Sequence, residues 1–274
     1  MDRPVKVVGL VCRTSDRVAA TSRGVQTLAP MLAEQLGTTA RLIGSPGEPR
    51  EQSWEDDLRD SRGCLLEAGG QIDDALVDEM LPVLIAGDCS IAATTLPTVA
   101  RHNPEAYVLW LDAHGDFNTP DTSPSGYLGG MPLAAACGKW EPGLADTKVD
   151  PAQVLLCGVR ELDGREQVLL ETTGVRRLRP SQLADMLDGE DVFVHLDLDV
   201  LDPAIMPAKF PVQGGLSDAG LRTLLSEVAS VANLVGLEIT NFVAPEDELS
   251  RTTLAETIAA IVHPVLRGGT AVGR

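Results

Sequence analysis

The chain has 274 residues, with 22 Lys and Arg against 40 Asp and Glu, so its formal net charge at pH 7 is −18. This balance argues against nucleic acid or an anionic membrane as the main partner, because both require a basic face. It is compatible with a cationic small ligand, although plain solubility explains it more simply. Hydrophobic residues make up 44% of the chain but aromatic residues only 3%, which predicts a core of mainly Leu, Val, Ala and Ile.

The cysteines are odd in number and scattered, without a Cys-x-x-Cys pair: Cys12, Cys64, Cys89, Cys137 and Cys157. This usage is typical of a reducing compartment, so we expect a cytoplasmic protein without disulfides. The apolar run near the N-terminus is too short for a signal peptide and predicts a first core strand. No apolar run approaches the 18 residues typical of a membrane span.

Apolar runs alternate with segments of helical spacing along the chain. In chain order this pattern predicts strand 5–12, helix 24–36, strand 39–44, helix 54–80 with a break at Gly69 and Gly70, strand 82–86, helix 91–101, strand 107–111, a helix from 131, strand 153–159, helix 165–171, strand 174–178, helix 180–187, strand 192–198, helix 218–228, strand 234–239 and helix 249–266. Such alternation predicts an α/β fold, a three-layer αβα sandwich around a mainly parallel sheet. Without repeats or linkers, residues 1–274 are expected to form a single domain.

Two clusters of potential metal ligands follow predicted strands. Asp112, His114 and Asp116 alternate after the apolar run 107–111, so their side chains leave one face together. Asp197 and Asp199 do the same at the end of strand 192–198. Open α/β sheets bind their ligands at the carboxyl ends of strands.

Carboxylates gathered this closely repel one another unless a cation lies between them. Four carboxylates and one imidazole favour a hard or borderline divalent ion, of which Mn²⁺ is the natural candidate. Because one ion does not need so many carboxylates, they predict a two-metal site with ions roughly 3.5 Å apart that bridge an activated water.

At these residues the chain resembles the arginase-like ureohydrolases, which include arginase and agmatinase. The family has a Gly-Gly-Asp-His-Ser element, an Asp-Ala-His-x-Asp element and a Ser-x-Asp-x-Asp-x-x-Asp-Pro element. The corresponding segments here are 87–90, 112–116 and 195–203, in the same order. The resemblance implies the three-layer α/β fold, two Mn²⁺ ions and hydrolysis of a guanidino group. Many relatives are trimers or hexamers, so a homo-oligomer is compatible with it.

The resemblance also implies roles for individual residues. Asp112 and Asp197 would bridge the two ions, Asp116 would bind the first ion, and His114 and Asp199 would bind the second. Cys89 would stand where the family has its leading metal-binding histidine. Asp116 and Glu238 are expected to be catalytic, with Glu238 in the position of the carboxylate that holds the guanidinium.

Further residues match the amino-acid end of the family's substrate site. Asn118 and Ser125 match positions that hydrogen-bond an α-carboxylate, and Asp163, with Glu166 nearby, matches a carboxylate that meets the α-amino group. Short polar loop residues can also simply cap turns, which is the simpler explanation for Ser125 alone. Together they predict a guanidino amino acid as the small-molecule partner, rather than agmatine, which has no carboxylate.

Several residues depart from the family pattern. Cys89 offers a soft thiolate that suits Mn²⁺ poorly, so the first metal site is either weakened or absent. Gly129 replaces the histidine of Ser-Gly-Asn-x-His-Gly-Met-Pro, which is usually given a proton-transfer role. His195 replaces a small residue and is either a neighbour of the metal site or a core histidine. Lys209 and Phe210 lie in a shortened 202–215 loop, to which no substrate contacts can be carried over.

These departures suggest a modified guanidine. An N-hydroxyguanidine is less basic than arginine, whose pKa exceeds about 12, and its added oxygen could reach a metal ion or pass a proton. Within the family, the resemblance favours members that hydrolyse Nω-hydroxy-L-arginine to hydroxyurea and L-ornithine in antibiotic (D-cycloserine) biosynthesis. Two alternatives stay open: an arginase or another ureohydrolase of carboxylate-bearing guanidines, and a metal-poor relative that binds an amino acid without turnover.

Overall fold

The structure, a computed structural model, describes residues 3–268 and contains eight strands and eight α-helices over that range. The strands are β1 (Val5–Leu10), β2 (Arg41–Ile43), β3 (Leu81–Ala86), β4 (Tyr107–Leu111), β5 (Val154–Cys157), β6 (Arg176–Arg177), β7 (Asp191–Asp197) and β8 (Asn233–Thr240). The helices are α1 (Ala20–Gln35), α2 (Trp54–Val77), α3 (Ala92–His102), α4 (Pro132–Ala136), α5 (Gly164–Glu171), α6 (Leu183–Met186), α7 (Asp218–Val231) and α8 (Glu248–Gly268).

All eight strands form one sheet in the order β2-β1-β3-β8-β7-β4-β5-β6, and every pairing is parallel. The predicted mainly parallel sheet is therefore confirmed. The middle four strands, β3, β8, β7 and β4, are direct neighbours, so the loops that follow them meet at one edge of the sheet. Cys89 follows β3, residues 112–116 follow β4, Asp197 ends β7, and Asp199 lies in the short 3-10 turn after it. The topology thus brings together segments that are more than 100 residues apart.

Helices cover both faces of the sheet. Residues of α1, α7 and α8, such as Leu28, Leu224 and Ile258, pack on one face in the first apolar cluster. Residues of α2 and α3, such as Leu65 and Leu96, pack on the other face in a second cluster. The strands between them are buried on both sides, which explains their continuous apolar runs. This arrangement confirms the predicted three-layer αβα sandwich.

Helix α2 is continuous from Trp54 to Val77, so the predicted break at Gly69 and Gly70 is wrong. A Cβ atom on Gly69 would lie 3.1 Å from Cβ of Thr94 in α3. The glycine therefore permits close packing of two helices instead of interrupting one. Ser53 begins α2 by accepting a hydrogen bond from the backbone N–H of Asp56, a standard N-cap.

The expectation of a chain without disulfides is also wrong, because the structure pairs Cys12 with Cys64. Cys12 follows β1 and Cys64 lies in α2, with their Cα atoms 6.4 Å apart although 52 residues separate them in sequence. Only the packing of α2 beside β1 reveals this proximity. The prediction of a reducing compartment loses the support that it drew from unpaired cysteines. Within residues 3–268, no helix is both long and apolar enough to cross a membrane.

Candidate metal centre

A cavity of about 300 Å³ opens at the carboxyl ends of the central strands. Nine of the eleven residues predicted for the site line it: Cys89, His114, Asp116, Asn118, Ser125, Asp163, Glu166, Asp197 and Asp199. Asp112 lies buried behind these residues, and Glu238 is buried deeper in the sheet. The cavity therefore unites both predicted ligand clusters with the predicted amino-acid end.

Asp112, His114 and Asp199 form one compact group of potential ligands. Nδ1 of His114 lies 3.4 Å from Oδ1 of Asp112 and 3.0 Å from Oδ2 of Asp199. Backbone N–H groups hold both carboxylates, since Asp112 accepts from His114 at 2.6 Å and Asp199 accepts from Ala113 at 3.0 Å. Burial alone would lower the pKa of His114, but the two carboxylates outweigh it and raise the pKa to about 12. The group thus offers one nitrogen and two oxygen donors to a cation.

Cys89, Asp116 and Asp197 also line the cavity. Sγ of Cys89 donates a hydrogen bond to Oδ2 of Asp197 at 2.8 Å, and Asn241 also donates to that oxygen. Burial and the nearby carboxylate of Asp197 raise the pKa of the Cys89 thiol well above its usual range. Asp116 has a left-handed backbone with φ 47°, a conformation that costs energy and is concentrated at functional sites.

The buried carboxylates repel one another. Burial, followed by the charge of Asp199, raises the pKa of Asp112 to about 6. The pKa values of Asp116 and Asp197 are raised well above their usual range by burial and by neighbouring carboxylates. A bound cation would remove both the repulsion and part of the desolvation penalty. The oxygen-rich donor set with one imidazole therefore fits Mn²⁺, while a protonated Cys89 thiol does not improve that fit.

The predicted amino-acid end is a hydrogen-bonded group that lines the same cavity. Nδ2 of Asn118 donates to Oδ2 of Asp163 at 2.9 Å. Glu166 accepts from the backbone N–H of Phe117 at 2.8 Å and from that of Asp163 at 3.1 Å, and so forms a capping box at the start of α5. Glu166 therefore positions the loop, whereas Asn118 and Asp163 present polar atoms to the cavity. Ser125 lies at the rim.

Glu238 does not reach the cavity, which corrects its predicted contact with a guanidinium. Its side chain is fully buried, and Oε1 lies 2.6 Å from Nδ1 of His195. The register explains this position, because Glu238 pairs with His195 one row below the pair of Asp197 and Thr240. Glu238 is not among the residues that line the cavity, and its carboxylate is engaged by His195 instead. Asn241, just beyond the end of β8, lines the cavity instead.

Tyr127 and Lys209 were not predicted as site residues. Tyr127 lines the cavity, donates a hydrogen bond to Asp88, and accepts one from Nζ of Lys209 at 2.5 Å. A Cβ atom on Gly129 would lie only 2.5 Å from Cζ of Tyr127. The tyrosine ring therefore occupies the space beside residue 129, where the family pattern has a histidine. In the sequence, Tyr127 stands in place of the asparagine of Ser-Gly-Asn-x-His-Gly-Met-Pro and Gly129 in place of its histidine, and this paired change was the available signal.

Comparison with known proteins agrees with this geometry. Residues 56–266 match the model of the arginase family. The chain is 34% identical to the N(omega)-hydroxy-L-arginine amidinohydrolase of Streptomyces lavendulae over 257 residues, which covers 92% of this chain and 93% of the relative. The crystal structure of the Bacillus caldovelox arginase superposes with a TM-score of 0.79 at 27% identity, covering 100% of this chain and 99% of that one. The chain belongs to the arginase family.

Proposed function

We propose that this protein is a manganese-dependent amidinohydrolase that converts Nω-hydroxy-L-arginine and water into hydroxyurea and L-ornithine. The observation that carries the proposal is a single cavity lined both by a cluster of metal-type carboxylates (the carboxylate wall) and by the Asn118–Asp163 pair (the amino-acid wall). These two groups match the two ends of a guanidino amino acid. The Streptomyces lavendulae relative bears the name of this activity.

The carboxylate wall would hold two divalent ions through residues that the resemblance assigns to them: Asp112, His114, Asp116, Asp197 and Asp199. When bound, such ions supply a nucleophilic water at neutral pH and neutralise the surrounding carboxylates. The protein contributes the fixed positions of these side chains. Backbone N–H groups orient Asp112 and Asp199, and Asn241 orients Asp197.

The amino-acid wall would bind the amino-acid end of the substrate. The carboxylate of Asp163 would accept from the α-ammonium group, while Asn118 would donate to the α-carboxylate. Glu166 keeps Asp163 in place by accepting from its backbone N–H. Because agmatine has no carboxylate, it would leave the second N–H of the Asn118 amide unpaired, and an unpaired polar group costs binding energy.

The reaction adds water to the guanidine carbon and breaks the bond between that carbon and Nδ of the ornithine part. Nδ takes up a proton as the amine departs, so hydroxyurea and L-ornithine account for every atom. The family's histidine for this proton is missing, since residue 129 is glycine and the ring of Tyr127 fills the adjacent space. An N-hydroxyguanidine needs that histidine less, because its own hydroxyl group can pass a proton. On the resemblance, we assign the reaction to antibiotic (D-cycloserine) biosynthesis.

Arginase activity is the second candidate. A relative named arginase from Bacillus caldovelox is 30% identical over 91% of this chain, and both substrates share the amino-acid end. The features that separate the candidates are Cys89 and Gly129. A metal-poor relative without turnover is the third candidate, and it requires that the carboxylate cluster binds no divalent ion.

The test compares turnover of Nω-hydroxy-L-arginine, L-arginine and agmatine by the Mn²⁺-loaded protein, with metal content measured on the same sample. We expect kcat/KM for the hydroxylated substrate to exceed that for L-arginine at least about tenfold, which corresponds to about 1.4 kcal/mol. Equal or better turnover of L-arginine would make the protein an arginase. A sample that binds no divalent ion would reject hydrolysis altogether.

A matched variant tests the amino-acid wall. Replacement Asn118→Ala is expected to raise KM for the hydroxylated amino acid and to leave the weak turnover of agmatine unchanged. Thr122→Ala serves as the control, because its hydroxyl group contacts Asn118 from behind without lining the cavity. Equal losses on both substrates would show that Asn118 supports the loop and does not select the carboxylate.

A further inference from the structure

A buried histidine lies directly beneath the carboxylate wall. His195 has no exposed surface, and its ring stacks on the indole of Trp110 with a centroid distance of 3.5 Å and an interplanar angle of 2°. Nδ1 is held by Glu238 at 2.6 Å. Nε2 has no hydrogen-bond partner among residues 3–268. Buried polar atoms are nearly always satisfied, so this nitrogen requires an explanation.

The surroundings of His195 suggest that its free nitrogen binds a metal ion. A ring nitrogen of His195, Sγ of Cys89 and a carboxylate oxygen of Asp112 all lie within 4.8 Å of one another, and all three residues are buried. Because Glu238 already engages Nδ1, the remaining nitrogen, Nε2, is the one free to bind a metal ion. Trp110 donates to Oδ2 of Asp112 at 3.1 Å, which fixes that carboxylate beside the histidine.

Two sequence departures are complementary. The family pattern places a histidine where this chain has Cys89, and a small residue where this chain has His195. The imidazole that is missing after β3 is thus present on β7, two residues before Asp197 and therefore on the same face of the strand. Each change alone is unexplained, whereas together they restore one nitrogen donor near Asp112.

We infer that Nε2 of His195 is a ligand of the metal ion bound by Asp112 at the first site. Metal-binding histidines almost always donate their second N–H to a carboxylate or carbonyl group, which fixes the tautomer and the ring orientation. Glu238 supplies that carboxylate. It acts as a positioning residue rather than as a contact of the substrate. An imidazole suits Mn²⁺ better than a thiol does. This inference rests on the proposed metal-dependent function.

Spectroscopy of bound Mn²⁺ tests the inference while leaving His195 in place. His114 is the one histidine in the ligand set implied by the family, and the whole chain has only four histidines. In the variant His114→Ala, pulsed EPR of bound Mn²⁺ should still detect a coordinated ¹⁴N nucleus. Adding Glu238→Gln should weaken Mn²⁺ binding about tenfold or more, as expected for the loss of a carboxylate behind a ligand. The surface variant His263→Ala should change neither result.

Metal counting gives a second measurement. The wild-type protein should retain two Mn²⁺ ions per chain after dialysis, and His195→Phe, which keeps a flat ring on Trp110, should retain one. Absence of a ¹⁴N signal in His114→Ala, or unchanged Mn²⁺ affinity in a folded His195→Phe protein, would overturn the inference and leave His195 a core residue. These readouts do not require turnover. A nitrogen signal without hydrolysis of any guanidine would therefore reject the proposed function and keep the site.

Discussion

Removal of metal should make the stability of this protein fall as the pH rises from about 4 to about 6. Burial and the charge of Asp199 raise the pKa of Asp112 from 3.8 to about 6. An acid whose pKa is higher in the folded state is easier to ionise after unfolding. The unfolded chain therefore loses its proton first as the pH rises, and the folded state is progressively destabilised.

The size of the effect follows from the pKa shift. A rise from 3.8 to about 6 is about two units, and each unit corresponds to about 1.4 kcal/mol, so the shift corresponds to about 3 kcal/mol. Domains of 150–250 residues lose about 2–4 °C in melting temperature per kcal/mol, which gives about 6–12 °C. Asp116 and Asp197 have raised pKa values too, so they act in the same direction.

The assay is calorimetry at a series of pH values in EDTA and then with excess Mn²⁺. Without metal, the melting temperature of Asp112→Asn should fall less between pH 4 and 6 than that of the wild type, by about 6–12 °C. The exposed control Asp185→Asn should follow the wild type. With Mn²⁺ the slope should reverse, because the metal binds only the ionised carboxylates. Parallel metal-free profiles of wild type and Asp112→Asn would refute the reasoning about carboxylate repulsion.

Four other variants test the surrounding structure. Gly129→His alone should abolish activity, because its Cβ atom would lie 2.5 Å from the Tyr127 ring, whereas the double variant Tyr127→Asn/Gly129→His should fold and gain turnover of L-arginine at least about tenfold. Arg160→Met should reduce the free energy of unfolding by about 2–4 kcal/mol in urea titrations, because its guanidinium group donates to five backbone carbonyls. Asp163→Asn should raise KM about tenfold with little change in kcat, as loss of uniform binding requires. Unchanged values in these assays would reject the respective contacts.

Much of the fold could be predicted from local patterns, because buried parallel strands and amphipathic helices leave strong periodic signals. The metal ligands could be predicted for a similar reason, since alternate residues after a strand point the same way. The Cys12–Cys64 pair could not be predicted, because it depends on how α2 packs beside β1. Gly69 misled the prediction, since sequence alone does not distinguish a helix break from a close contact with α3.

The misplacement of Glu238 has a different physical cause. Alternation along β8 correctly places Glu238 and Thr240 on one face, but it does not tell which row of that face is exposed to the cavity. The strand continues to Thr240, so Glu238 lies a full row below the edge. Asn241 then adopts φ 60°, a conformation that asparagine tolerates better than most residues, and its side chain lines the cavity.

The corrected position of Glu238 assigns a role to the layer of side chains beneath the site. Trp110, His195 and Glu238 occupy paired positions on three adjacent strands, directly below Asp112 and Asp197. In this layer Glu238 does not contact a substrate, but its carboxylate fixes the orientation of the His195 imidazole. Because Cys89 occupies the position of the family's metal-binding histidine, His195 supplies the imidazole that this position lacks. The hydrogen bond to His195 also explains how a glutamate side chain is accommodated in a fully buried layer, where a polar group without a partner would be destabilising.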